Sequence, residues 1–274
     1  GGVFASIWGV YNLLPEKLRK NVIGVIVNKF RGDLTLFDEG IRIIQEDFKI
    51  PVLGVLPYLP FNLGFEDSAS LKNFVQQPKN KKLDIAVIAY PYMSNYNDFE
   101  PLIADDEVFV EFVSSNISLE KFDLVILPGS KLVIKDLIWL KQTGLFEQIR
   151  NYKKDICAIC GGYEMMFESL NDIYALENEQ ALKEEGFGFI PDIITFEKEK
   201  ILEKKSYDLF GTKIDGFEIH HGMCQKYPLS FEKENFKGTF VHGIFDNSEF
   251  RTNYFKSIKI DYIGFDFQAY KKQT

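Results

Sequence analysis

Few residues in this chain are placed to do chemistry. In AICGGYEMM (158–166) a cysteine, Cys160, follows an apolar run and precedes two glycines. A predicted strand that turns sharply into a helix at such a point is the nucleophile-elbow arrangement. The first turn of the helix offers unpaired N–H groups and the positive end of its dipole, which stabilise a thiolate. Gly161 and Gly162 keep the approach clear of side chains, and the Gly161 N–H is a candidate oxyanion donor. A second donor is expected from PGS (128–130), at the end of another apolar run. A small buried hydrophobe is the plainer reading of a lone cysteine. The elbow, PGS and a suitably placed histidine outweigh it. Of the three histidines, His220, His221 and His242, His242 in GTFVHGIFDN directly follows a predicted strand and is the first choice for general base. Cys157 and Cys160 also form C-x-x-C. Cys157 falls inside a predicted strand, so a redox pair is the weaker reading.

The elements that must position these groups read as two α/β units. VIGVIVNKF (22–30) and PVLGVLPYLP (51–60) are apolar, β-branched runs flanking a helical spacing at 34–48. That β-α-β rhythm implies a parallel sheet. The polar stretch QQPKNKK (76–82) interrupts it, and 79–82 is taken as the linker between a unit at 1–78 and one at 83–257, with a tail at 258–274. In the second unit LDIAVIAYP, VFVEFV, FDLVILPGS and DICAIC are strands, LVIKDLIWLKQTG is an amphipathic helix, and GGYEMMFESL is a second helix. Residues 186–245 are strand-rich, and 248–257 suits a helix. The run EKEKILEKK (197–205) reads as a solvated loop or strand edge.

Composition narrows the class. The 274 residues carry a net charge of −8 and a pI near 5.1, a poor match for nucleic-acid or anionic-membrane surfaces. No apolar run approaches the roughly 20 residues of a membrane span. Three cysteines cannot pair fully and do not space like a zinc site, so no metal is expected, and a reducing cytoplasm is the default. The chain opens on Gly-Gly and GGVFASIWG resembles a loop entering a helix, which suggests a fragment.

Four segments of the second unit, ILPGSK (126–131), ICGGYE (159–164), FEIHHG (217–222) and GTFVHGIFDN (238–247), resemble the glutamine amidotransferase domain of the cobyric acid synthase family. In the first unit GGVFASIWG (1–9), VNKFRGD (27–33), IPVLGVLPYLP (50–60) and EDSASL (66–71) resemble the later half of that family's ATP-dependent synthetase domain. The resemblance implies an α/β fold: part of a P-loop-type synthetase domain with a parallel sheet, followed by a class I glutamine amidotransferase-like domain. It implies that glutamine binds near Gly129, Ser130, Gly161 and Tyr163, that Cys160 attacks its side-chain amide, and that His242 handles the proton. ATP with Mg²⁺ would activate the b, d, e and g carboxylates of a corrinoid, adenosylcobyrinic acid a,c-diamide, for amidation by the ammonia. Asn28, Lys29, Arg31 and Asp33 would face nucleotide or substrate. The runners-up are a cobyrinic acid a,c-diamide synthase, a non-catalytic module of the same shape, and a general cysteine hydrolase.

The sequence departs from the amidotransferase pattern at three places. Ile244 stands where a glutamate often orients the histidine, which leaves Glu218 and Asp246 as candidates by position. Ala158 replaces a glycine. Glu164 replaces a glutamine, and a charge there would raise the Cys160 pKa. No G-x-x-x-x-G-K-[ST] phosphate loop occurs; the family's own would lie upstream of Gly1.

Overall fold

The computed structural model describes residues 2–58 and 78–271. The chain divides between residues 62 and 63 into two compact units. EDSASL lies outside the described residues.

In the first unit a helix, Val3–Leu13, precedes two parallel strands, β1 (Val25–Phe30) and β2 (Val52–Pro57). Between them the helical spacing at 34–48 folds as consecutive 3-10, α and π turns over 34–47. Val27, Phe37, Ile44 and Ile50 form its small core, with Phe4 and Ile7 of the first helix packed on it. Alternation puts the other side chains of the strands outside. Ile26 is 58% exposed and Leu53 55%.

The second unit is built on a six-stranded sheet. Its strands are β3 (Leu83–Ile88), β5 (Val108–Val113), β6 (Leu124–Leu127), β8 (Asp155–Ile159), β13 (Ser230–Lys233) and β14 (Phe236–Thr239). The order is β13-β14-β8-β6-β3-β5, parallel throughout except for β13. β3, β6 and β8 are almost wholly buried, which is why they read as continuous apolar runs rather than alternating ones. Short antiparallel strands β4 (Met93–Ser94) and β7 (Gly129–Ser130) pair at the carboxyl edge. A second sheet, in the order β10-β9-β11-β12, comprises β9 (Phe167–Asp172), β10 (Leu182–Glu185), β11 (Ile190–Leu209) and β12 (Thr212–Met223).

The helix expected over GGYEMMFESL is a single turn, Gly161–Glu164. The chain after it enters β9, because the backbone at Met165 and Met166 accepts hydrogen bonds from Phe187 and Ile190 and Phe167–Asp172 pairs on both sides. EKEKILEKK lies within β11, where the pairing with β12 shifts between Phe196 and Ile201. Among the described residues no helix is long and apolar enough to cross a membrane.

Candidate active site

Four neighbouring parallel strands deliver the site. In sheet order, β14 leads to His242, β8 to Cys160, β6 to Gly129 and β3 to the loop carrying Asn95 and Asp98. All four segments leave the carboxyl edge, where open α/β sheets form their clefts.

Cys160 sits at φ 51°, ψ −113°, a backbone conformation that costs an L-residue free energy and marks a tightly constrained turn. The surroundings hold it there. The Cys160 N–H donates to the Thr239 carbonyl at 2.8 Å, and its carbonyl accepts from the Glu164 N–H at 2.9 Å. The glycines after it are sterically required. A Cβ on Gly161 would lie 2.7 Å from the Ser130 nitrogen, and one on Gly162 2.2 Å from the Leu127 oxygen. The elbow therefore packs directly on the turn after β6. The Gly162 N–H is committed to Pro128. The Gly161 N–H opens the helical turn. The Lys131 N–H reaches Tyr92, which makes Met93 and Ser130 a non-hydrogen-bonded pair of the β4–β7 ladder. The Ser130 N–H therefore points out of that ladder.

His242 is fully buried. Its Nδ1 lies 2.7 Å from Oδ2 of Asp98, whose other oxygen accepts from the Gly243 N–H at 2.8 Å. A carboxylate only accepts, so Nδ1 carries the proton and Nε2 faces inward. Nε2 is 2.9 Å from Nδ2 of Asn95, and Phe217 stacks on the ring at 5.1 Å. Burial acts to lower the His242 pKa. The Asp98 carboxylate, and after it the neighbouring Cys160, overcome this and push it up to about 10. Gly129 has no Cβ to collide with the imidazole, whose Cε1 would lie 3.1 Å away.

The groups expected to orient His242 lie elsewhere. Glu218 faces Nε2 of His220 at 3.3 Å, and the His220 ring stacks on Phe240 at 3.8 Å. Asp246 is 3.9 Å from Lys271. The orienting carboxylate is Asp98. Tyr163 is likewise absent from the cleft. It is wholly buried behind the elbow, between Phe167 and Phe240, and its hydroxyl donates to Tyr227. The Ser130 hydroxyl donates to Asp136 at 2.6 Å and accepts from the Leu132 N–H. Asp136 also accepts from the Tyr92 N–H at 3.0 Å, so one buried carboxyl ties the β3 loop to the turn after β6. Burial pushes that carboxyl up to about 6.

A cavity of about 340 Å³ opens beside Cys160, lined also by Asn95, Ser130, Glu164, Glu177 and His220. It is large enough for a small metabolite. Glu164 lies on the cavity wall and is buried. Burial, then the neighbouring Cys160 and Glu177, drive the Glu164 carboxyl pKa well above its ordinary range. Its Oε1 occupies the space a Cβ on Gly222 would take. Cys157 is buried in mid-strand and pushed by burial to about 12, which removes the C-x-x-C reading. All three cysteines are free.

In the first unit Asn28 accepts from the Lys29 N–H at 2.8 Å, Arg31 lies over the Tyr58 ring, and Asp33 accepts from both the N–H and the hydroxyl of Thr35. These are the contacts of a strand-end turn.

Asn95, Asp98 and Asp136 were not read from the sequence, though each left a trace. SNYND follows a buried strand at its carboxyl end, the place where such folds carry function. Asp136 is an acid on the apolar face of LVIKDLIWL, beside Val133, Leu137 and Leu140.

Residues 84–250 match the family model described as the CobB/CobQ-like glutamine amidotransferase domain. The chain is 67% identical over 273 residues to "Cobyric acid synthase" of Acinetobacter baylyi, covering 100% of this chain and 59% of that protein. It is 39% identical over 282 residues to "Cobyric acid synthase" of Clostridium tetani, covering 94% and 57%. The chain thus spans less than two thirds of the length of these relatives. A solved glutamine amidotransferase superposes with a TM-score of 0.45 at 12% identity, covering 64% of this chain and 97% of that one.

Proposed function

The chain belongs to the family of CobB/CobQ-like glutamine amidotransferase domains, and on that premise we propose that its second unit releases ammonia from glutamine, with Cys160 as nucleophile. The carrying observation is the buried line from Asp98 through His242 toward Cys160, with a 2.7 Å contact at its Asp98 end. A proton held on Nδ1 by Asp98 leaves Nε2 to exchange a proton with the thiol.

The thiolate forms a bond to the side-chain carbonyl carbon of glutamine. The carbonyl oxygen takes up the negative charge, received by the N–H groups of Gly161 and Ser130. Collapse of the tetrahedral adduct breaks the C–N bond as His242 gives its proton to the leaving nitrogen. Ammonia departs and a γ-glutamyl thioester remains. A water then attacks the thioester as His242 takes its proton. The C–S bond breaks and glutamate leaves.

The ammonia is used by a synthetase that activates corrinoid carboxylates with ATP and Mg²⁺, and the first unit is part of it. The relatives named cobyric acid synthase support amidation of the b, d, e and g carboxylates of adenosylcobyrinic acid a,c-diamide. The half-covered β1–β2 pair supports the reading of a partial sheet, since parallel strands are ordinarily covered on both faces. Asn28, Lys29, Arg31 and Asp33 would face nucleotide or substrate in this unit; Asn28 and Asp33 each give a single oxygen to neighbouring groups.

The test is glutamate release by the 274-residue chain beside Cys160→Ala and His242→Ala. Loss in both variants with parent-like folding is the expected result. Equal release by the parent and Cys160→Ala would overturn the assignment.

A further inference from the structure

We infer that Asp136 is a positioning residue of the oxyanion site, holding the Ser130 N–H aimed at the elbow and in fixed relation to the loop that carries Asp98. This rests on the glutaminase reading above and names the group that keeps its oxyanion donor and its base in step.

Strand pairing alone does little to hold the turn that presents the Ser130 N–H. β4 and β7 match only Met93 with Ser130 and Ser94 with Gly129, and so short a two-stranded ladder is not stable by itself in water. Gly129 adds no side chain to pack. The peptide bearing the Ser130 N–H is instead fixed from its two ends. Before it, the Pro128 carbonyl accepts from the Tyr90 hydroxyl and from the Gly162 N–H. After it, the Lys131 N–H donates to the Tyr92 carbonyl at 2.9 Å. The Ser130 side chain is fixed as well, its hydroxyl donating to Asp136 at 2.6 Å and accepting from the Leu132 N–H at 3.1 Å. The Ser130 nitrogen is thereby brought so near the elbow that a Cβ on Gly161 would lie 2.7 Å from it.

Asp136 is the member of this set whose side chain reaches both loops. It lies on the helix Val133–Thr143 and is fully buried. Its Oδ2 takes the Ser130 hydroxyl, and its Oδ1 takes the Tyr92 N–H at 3.0 Å. Tyr92 opens the segment that runs through β4 to Asn95 and Asp98. A shift of either loop against the other breaks one of these two bonds and leaves a buried polar group unpaired. For packing alone, an apolar side chain on this helix face would serve without the cost of burying a carboxyl. A donor is useful to a developing oxyanion only within a few tenths of an ångström of its proper place, so a side chain that fixes the turn acts on the reaction without touching substrate.

The test compares the 274-residue chain with Asp136→Asn and Ser130→Ala, by steady-state glutamate release and by calorimetric binding of 5-oxopentanoate. That aldehyde adds to the Cys160 thiol: a C–S bond forms, the C=O π bond opens, and the oxygen left on carbon takes the oxyanion's place. Asp136→Asn fills the same space but turns a donor toward the Ser130 oxygen, which already accepts from Leu132. Ser130→Ala keeps the backbone N–H and loses only the hydroxyl that Asp136 holds. Each variant is expected to lower kcat roughly tenfold to a hundredfold, with KM within about threefold of the parent, and to weaken 5-oxopentanoate by a similar factor. Because both act through one contact, the double variant should lose no more than the worse single one. Glutarate, which cannot add to the thiol, should bind all of them alike. Parent-like kcat and 5-oxopentanoate binding in Asp136→Asn overturns the inference, and so does a loss shared equally by glutarate, which marks a merely structural role. A parent that binds 5-oxopentanoate through Cys160 without releasing glutamate would sink the turnover reading alone, since the adduct still reports on Asp136. A parent that binds it no more tightly than Cys160→Ala and releases no glutamate sinks both.

Discussion

Asp98 and His242 stand 144 positions apart in the chain and 2.7 Å apart in the fold. The contact fixes the imidazole's tautomer and its charge together. Asp98→Asn would turn an N–H toward Nδ1 and force the proton onto Nε2. The expected result is a fall in kcat of roughly a hundredfold or more, with the His242 pKa dropping from about 10 toward its ordinary value. An imidazole NMR titration reads this directly, since the chain has only three histidines. The linkage has a definite sign. A histidine whose pKa is raised on folding stabilises fully below about 6.5 and loses that contribution as pH climbs to about 10. The parent should therefore lose stability over that window more steeply than Asp98→Asn.

Glu164→Gln replaces a buried carboxyl, whose pKa burial raises, with an amide of the same shape. Glutamate release at pH 7 should stay within about threefold of the parent. An acid whose pKa is raised on folding costs stability once the unfolded chain ionises, above about 4.5. The variant's advantage in denaturant midpoint should therefore grow from pH 5 to pH 8. A constant difference would show that the carboxyl is ionised in the fold.

The backbone at Cys160 should reverse an ordinary preference. Alanine usually stabilises over glycine by up to about 1 kcal/mol, through the unfolded chain. At φ 51° glycine relieves strain instead, so Cys160→Gly should be more stable than Cys160→Ala by about 1 kcal/mol. Both should be inactive. Unfolding midpoints of the two variants decide it.

Gly161→Ala drives a Cβ against the Ser130 nitrogen, at 2.7 Å. Backbone cannot swing aside as a side chain can. The turn after β6 must move from the elbow, carrying the proposed oxyanion donor with it. The expected loss in kcat is about 10²–10³-fold with circular dichroism unchanged, and activity equal to the parent would remove Ser130 from that role.

What the sequence disclosed was what is local. Cys160 announces its turn through flanking glycines, and the apolar runs at 83–88, 124–127 and 155–159 are strands because both their faces are covered. The partner of His242 was not disclosed. Glu218 and Asp246 were nearer along the chain, but the choice among carboxylates depends on which loops the sheet order brings together. Strand order places β3 three positions from β14, and no local pattern encodes that. The break in pairing within EKEKILEKK was hidden for a related reason: it is defined by the partner strand's register, and the run alone reads as solvated charge. The short helix at the elbow failed as a longer prediction because Met165 and Met166 are claimed by distant backbone.

Between β8 and β14, adjacent in the main sheet, the chain makes an excursion through all of the second sheet, β9 to β12. A ribosome delivers β3, β5, β6 and β8 first, and they can pair with one another as they emerge. The strand bearing the imidazole arrives only after the excursion is complete, and it docks last beside the strand bearing the thiol. On the proposed chemistry, a growing or prematurely ended chain holds a nucleophile without its base. On that reading glutamine hydrolysis waits on the last parallel strand of the sheet, through the order of synthesis rather than any added regulator.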